Sequence, residues 1–391
     1  MTDSTAAGTR PRPSPTAGRV PFAARLLFAV AIFFTVIGLT ECAFIAYDLL
    51  SGGSLSSARA PDLGLGIRSW TLHHAMRPGY SSPAVHTNSL GLRSPEVAIP
   101  KPSGTFRIVL LGDSFTFGFR APDDEVFARR LEARLRQEHP DTSIEVVNAG
   151  VLSYCPLLEY LQYRNDLSKL EADFVVLNFD MSDVQDHLDY SRDAVWASDG
   201  SPLFVTEPSL RRPATVWPDL LSFEWVARHL TGIRRRVQSS VEGSPFALDK
   251  ERYLWALDNG PELDDAVRRT LEPIEHLTRL LAHQQIPFLL ATYPQPWQVS
   301  ADATPLPPVR EQYGIGLHTV HLNDRPFRKL ERFATDRRIS FLNATGAFRQ
   351  AAHPASLFLD NDFHFSPLGN QLYADILSRY LTSRVPDPSG R

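Results

Sequence analysis

From Phe106 onward the chain repeats one arrangement: a short run of consecutive apolar residues, a turn, then a stretch of helical period. The runs are RIVLL (107–111), IEVVNAG (144–150), DFVVLNF (173–179), IPFLLATYP (286–294) and SFLNA (340–344). A strand that is apolar on both sides must be covered on both faces, and the intervening helices supply the cover. The pattern therefore predicts a parallel sheet inside a three-layer α/β/α sandwich over 105–385. Helices are expected over 123–140, 157–170, 262–284, 325–337 and 366–381. In the first of these Phe127, Leu131 and Leu135 share one face, Asp123 or Asp124 can cap the start, and Pro140 ends the run. Residues 190–255 break the alternation and read as an insertion or lid. With 391 residues, 43% of them apolar, the chain has material for a substantial core.

Ahead of this domain lies a different kind of sequence. Residues 1–25 form a tail rich in Thr, Ala, Pro and Gly, with Arg10, Arg12, Arg19 and Arg25, and are expected to be disordered. LLFAVAIFFTVIGLTECAFIAY, residues 26–47, follows with Glu41 as its single charge. As a helix it reaches roughly 33 Å, enough for a hydrocarbon core of about 30 Å. No convincing small-x-small cleavage site follows, so an uncleaved transmembrane anchor is expected rather than a removed signal. The arginines precede the span, which places the N-terminus in the cytoplasm and everything after about residue 50 outside. Residues 48–104 read as a Gly/Ser/Pro-rich linker with short extended pieces, and 386–391 as a tail.

Several function classes are excluded early. A formal net charge of −4 gives no electrostatic reason to expect nucleic acid. Two isolated cysteines, Cys42 and Cys155, cannot build a cysteine zinc cage and are not expected to pair. There is no phosphate-binding Walker loop and no dinucleotide fingerprint, so no metal and no cofactor are expected.

In open α/β sheets functional groups collect at the carboxyl ends of the strands. Here Gly112-Asp113-Ser114 follows the first run, Asn148-Ala149-Gly150 closes the second, and Ser182-Asp183 follows the third. Late in the chain His364 stands ahead of the last helix, in LDNDFHFSPLG. A serine is a poor nucleophile unless a base lies within hydrogen-bond reach and a carboxylate fixes that base's tautomer. Ser114, His364 and a neighbouring acid supply the set, with Asp362 favoured and Asp360 the alternative. His73, His74, His86, His283 and His353 have no acidic partner at ligand spacing, and Cys155, Tyr293 and Trp297 are assigned to packing.

The segments GDSFTFG, VVNAGV, VVLNFDMSDV and DFHFSPLGNQLYA together resemble the block sequence of the SGNH (GDSL-type) hydrolase superfamily. HTNSLGLRSPEVAIPKPSGTFRI, before the first strand, is similar to its membrane-anchored bacterial branch. The resemblance spans about residues 77–381. It implies a flavodoxin-like sandwich, Ser114 as nucleophile, His364 as base, and an oxyanion hole from the amides of Ser114 and Gly150. It further implies a membrane-anchored extracytoplasmic serine esterase that hydrolyses a small acyl ester, with a cell-envelope glycan as the expected partner. An O-acyltransferase of envelope polysaccharide and a catalytically decayed glycan-binding scaffold are the alternatives. Two positions depart from the family pattern. Ser182 stands where an asparagine side chain usually donates to the oxyanion, so Ser182 substitutes, a neighbour such as Asn178 fills in, or the enzyme is slow. Loss of one such donor costs about a hundred- to a thousand-fold in rate. The usual Asp-x-x-His spacing is replaced by Asp362-x-His364, because Asn361 occupies the customary position.

Overall fold

The computed structural model describes residues 22–50, 64–211, 253–257, 263–303, 310, 313–360 and 362–386. They fall into two units, one holding the N-terminal helix and the other the sheet. Much of the 190–255 insertion lies outside the described residues.

In the first unit a 29-residue helix runs from Phe22 to Leu50. Leu26, Leu27, Phe28, Phe33, Phe34, Val36 and Leu39 are all exposed on it. Its continuously described side chains extend from Ala24 to Thr40, and among the described residues no helix is long and apolar enough to cross a membrane. The expected span over 26–47 thus runs beyond the described side chains.

The second unit is built on five parallel strands: β3 (Thr105–Gly112), β4 (Ser143–Asn148), β5 (Phe174–Phe179), β8 (Phe288–Thr292) and β9 (Ser340–Asn343). They lie in the order β4-β3-β5-β8-β9. Numbered along the chain this is 2-1-3-4-5, the flavodoxin-like order. Side chains alternate between the two faces of a strand, and here both faces are covered. Val109, Leu111, Val175, Leu177 and Leu290 pack with the helices Pro156–Gln162, Asp264–His283 and Arg325–Asp336. Ile108, Leu110, Val146, Val176 and Leu289 pack with Phe127–Glu138 and Pro367–Leu381. Every residue of β3 and β5 is buried, which accounts for the apolar runs 108–111 and 174–177 within them.

Three expectations change in detail. The first helix begins at Phe127, and Asp123 and Asp124 sit in a preceding 3₁₀ turn. Asp123 caps nothing there, because its carboxylate is taken by Arg93 at 2.8 Å and His86 at 2.6 Å. His86 therefore does have an acidic partner, brought to it across the fold. Residues 64–104 are not a free linker: β1 (Gly66–Arg68) pairs with β2 (His74–Met76), and Leu65, Leu72, Met76 and Leu92 enter the core. From the insertion, β6 (Ala194–Trp196) and β7 (Pro202–Val205) form a hairpin whose Val205 bridges Leu72.

Candidate active site

Strand β3 ends at Gly112, whose φ of 153° suits glycine, and a Cβ there would lie 2.1 Å from Thr116 Oγ1. The chain then turns into a four-residue helix, Ser114–Phe117, capped by Asp113, which accepts from the Phe115 N–H at 2.9 Å. As the first helical residue, Ser114 has no intrahelical acceptor for its own N–H. The hydroxyl of Ser114 lies 2.8 Å from His364 Nε2, across 250 residues of sequence. On the other side of the ring, His364 Nδ1 lies 2.5 Å from Asp362 Oδ1, which also accepts the His364 backbone N–H at 3.2 Å. With Nδ1–H donated to the carboxylate, Nε2 is left as the acceptor for the serine proton.

Asp362, rather than the exposed Asp360, is the acid at the imidazole. Its second oxygen is held by Arg120 Nε at 2.7 Å. Burial alone would raise the Asp362 carboxyl, yet the His364 hydrogen bonds and charge, with the Arg120 guanidinium, hold it below the ordinary range. Phe363 stacks on the His364 ring at 4.4 Å, and Phe115 and Phe119 flank it at 4.8 and 5.1 Å.

The expected oxyanion donors are placed less simply. Gly150 meets the back of the serine-bearing helix, but its N–H donates to Asn148 Oδ1 at 3.0 Å. The Asn148 amide in turn donates to Thr116 O at 2.7 Å. Asn178 does not fill in for the missing family asparagine. It is fully buried, donates to Leu111 O at 3.0 Å and accepts from the Tyr373 hydroxyl at 2.7 Å. Ser182 is buried at the start of the helix Asp183–Ser191, with its N–H on Asp180 Oδ2 at 2.8 Å. Its hydroxyl has no hydrogen-bond partner among the described residues.

Sequence reasoning missed a set of buried acids on the helices and strand ends around Asp113. Asp113, Glu159, Asp180, Asp183 and Asp186 are each at most 5% exposed. The Tyr293 hydroxyl donates to Asp113 at 3.1 Å, and Gln295 Nε2 donates to Asp180 at 2.5 Å. Both carboxyl oxygens of Glu159 and Oδ1 of Asp183 lack a partner among the described residues. Burial, reinforced by mutual repulsion, pushes Asp113, Glu159 and Asp183 well above the ordinary carboxylate range. The Cys155 thiol is likewise pushed up by burial and by these acids, which suits its packing role. No motif marks this set, since its members come from three separate segments. Among the described residues no group of His, Cys, Asp and Glu is arranged to hold a metal ion.

The fold and these contacts together define a flavodoxin-like α/β sandwich with a serine, an imidazole and a carboxylate in line at the carboxyl edge of its sheet. No family model and no curated protein matches the chain. Among solved structures it is similar to a lipase/acylhydrolase from Enterococcus faecalis (12% identity, 72% of this chain and 98% of that one, TM-score 0.39). It is also similar to an acetylxylan esterase from Geobacillus stearothermophilus, solved as a catalytic mutant (14%, 70% and 93%, TM-score 0.38). A third is a GDSL-like lipase from Bacteroides thetaiotaomicron (12%, 71% and 89%, TM-score 0.35).

Proposed function

We propose that this chain is an SGNH-type serine ester hydrolase, and the observation that carries the reading is the Ser114–His364–Asp362 alignment. In the first step His364 Nε2 takes the proton of Ser114 as its oxygen attacks the ester carbonyl, with the Ser114 N–H stabilising the oxyanion. Collapse expels the alcohol, which receives the proton from His364. Water then resolves the acyl-enzyme by the same route in reverse. For Gly150 to contribute, its N–H must turn from Asn148 or share itself between two acceptors, and the Ser182 hydroxyl is the remaining side-chain donor in the family's asparagine position.

The apolar run 26–47, with Glu41 as its single charge and arginines ahead of it, supports a membrane anchor with the serine site on the extracytoplasmic side. That location favours an envelope glycan carrying a small acyl group as substrate. The engagement of Gly150 by Asn148 favours a second reading, a glycan-binding scaffold with a decayed oxyanion hole. The test is hydrolysis of p-nitrophenyl acetate by the purified full chain. The esterase reading expects activity that Ser114→Ala abolishes; activity unchanged in that variant would reject it, and acyl release that rises on adding a glycan acceptor would make the protein a transferase.

A further inference from the structure

The aspartate of the dyad stands two residues before its histidine, a short connection that leaves Asp362 on a turn with little secondary structure to orient it. Its Oδ1 is occupied by two hydrogen bonds from His364, and what fixes the rotation of the carboxylate is the group on Oδ2. That group is Arg120, 2.7 Å away on the loop that leaves the serine-bearing helix. Arg120 has φ of +64°. A non-glycine residue in this region is strained and persists only where its surroundings over-determine it.

The surroundings here are Arg93, from the extended segment ahead of the first sheet strand. Its side chain is nearly fully buried and spends its donors on the backbone on both sides of Arg120. It reaches Phe117 O at 3.0 Å, Gly118 O at 2.6 Å and Ala121 O at 2.6 Å. Two further bonds go to Ala84 O at 3.0 Å and Asp123 Oδ1 at 2.8 Å. A planar fork with several donors can staple a loop in this way, and a lysine cannot. We infer that Arg120, stapled from below by Arg93, is a positioning residue for the proposed reaction: it orients Asp362, and through it His364, toward Ser114. This inference rests on the hydrolase reading above.

Arg120 itself is about half exposed, with 51% of its side-chain surface accessible, so its removal leaves the core untouched. In the detergent-solubilised full chain, Arg120→Ala is expected to lower kcat for p-nitrophenyl acetate about tenfold, with KM and the unfolding midpoint unchanged. Arg120→Lys, which keeps one donor, restores most of the loss. In an Asp362→Ala background the same Arg120→Ala change has no further effect, because the group it positions is gone. Equal losses in both backgrounds, a rise in KM alone, or a kcat within twofold of wild type overturns the role. Activity that survives Ser114→Ala sinks the hydrolase reading and this role with it. Activity abolished by Ser114→Ala but untouched by Arg120→Ala sinks the positioning role alone.

Discussion

Gly150→Ala isolates the contact between the second strand end and the nucleophile. The position is not in the left-handed region of backbone space, so alanine introduces no dihedral strain of its own. What it introduces is a methyl group 2.3 Å from Phe117 N, 2.7 Å from Thr116 C and 2.9 Å from Phe117 Cα. All three are backbone atoms of the helix that begins at Ser114, and none can swing aside. Restoring ordinary contact needs a displacement of about 1 Å, shared between that helix and the loop after β4. The hydroxyl of Ser114 is 2.8 Å from His364 Nε2, so whatever share of this shift the helix takes lengthens or misaligns that hydrogen bond. Misplacement of a reacting group by about 1 Å costs on the order of 100-fold in rate, and overpacking costs about 1–3 kcal/mol of stability. The assay is kcat/KM for p-nitrophenyl acetate alongside denaturant unfolding. Gly346→Ala serves as the control, since a Cβ there meets nothing within 4 Å, and it should be neutral or slightly stabilising. A Gly150→Ala enzyme within twofold of wild type would refute the argument that this close approach sets the nucleophile.

Three further outcomes follow from the same geometry. Asp362→Asn should keep the fold but present the wrong tautomer of His364, lowering kcat by about 10³- to 10⁴-fold, as measured by steady-state kinetics. Arg93→Ala should destabilise the domain by about 3 kcal/mol in urea unfolding, because three buried carbonyls and Asp123 lose their donor, and Arg93→Lys should rescue little of it. Folding raises the pKa of Asp113, Glu159 and Asp183 above their unfolded values near 4, so their contribution is full below about pH 4 and is lost as pH rises through the raised values. The melting temperature should therefore fall as pH rises above about 4, and Glu159→Gln should flatten that slope; an identical slope in the variant would contradict the assignment.

The sheet could be read from sequence because both faces of β3 and β5 are covered, which keeps the runs 108–111 and 174–177 apolar. Ser114 and His364 could be read because each sits at a chain punctuation, one after a strand-ending glycine and one before a capped helix. The partners that distance brings together could not. Arg120 reaches Asp362 through a backbone conformation that no side-chain pattern announces, and Arg93 acts on carbonyls, which are the same in every residue type. The buried acids are drawn from separate segments, each of which looks like an ordinary solvated turn or helix start. Asn178 illustrates the converse: its residue type suggested an oxyanion donor, but both ends of its amide are consumed inside the fold.

The account depends on Ser114 being a nucleophile activated by His364. Incubating the full chain with a fluorophosphonate probe and locating the adduct by peptide mass spectrometry measures this directly. A single adduct on Ser114 is expected, lost in Ser114→Ala and strongly slowed in His364→Ala. An unlabelled Ser114, or labelling at the same rate without His364, would contradict it.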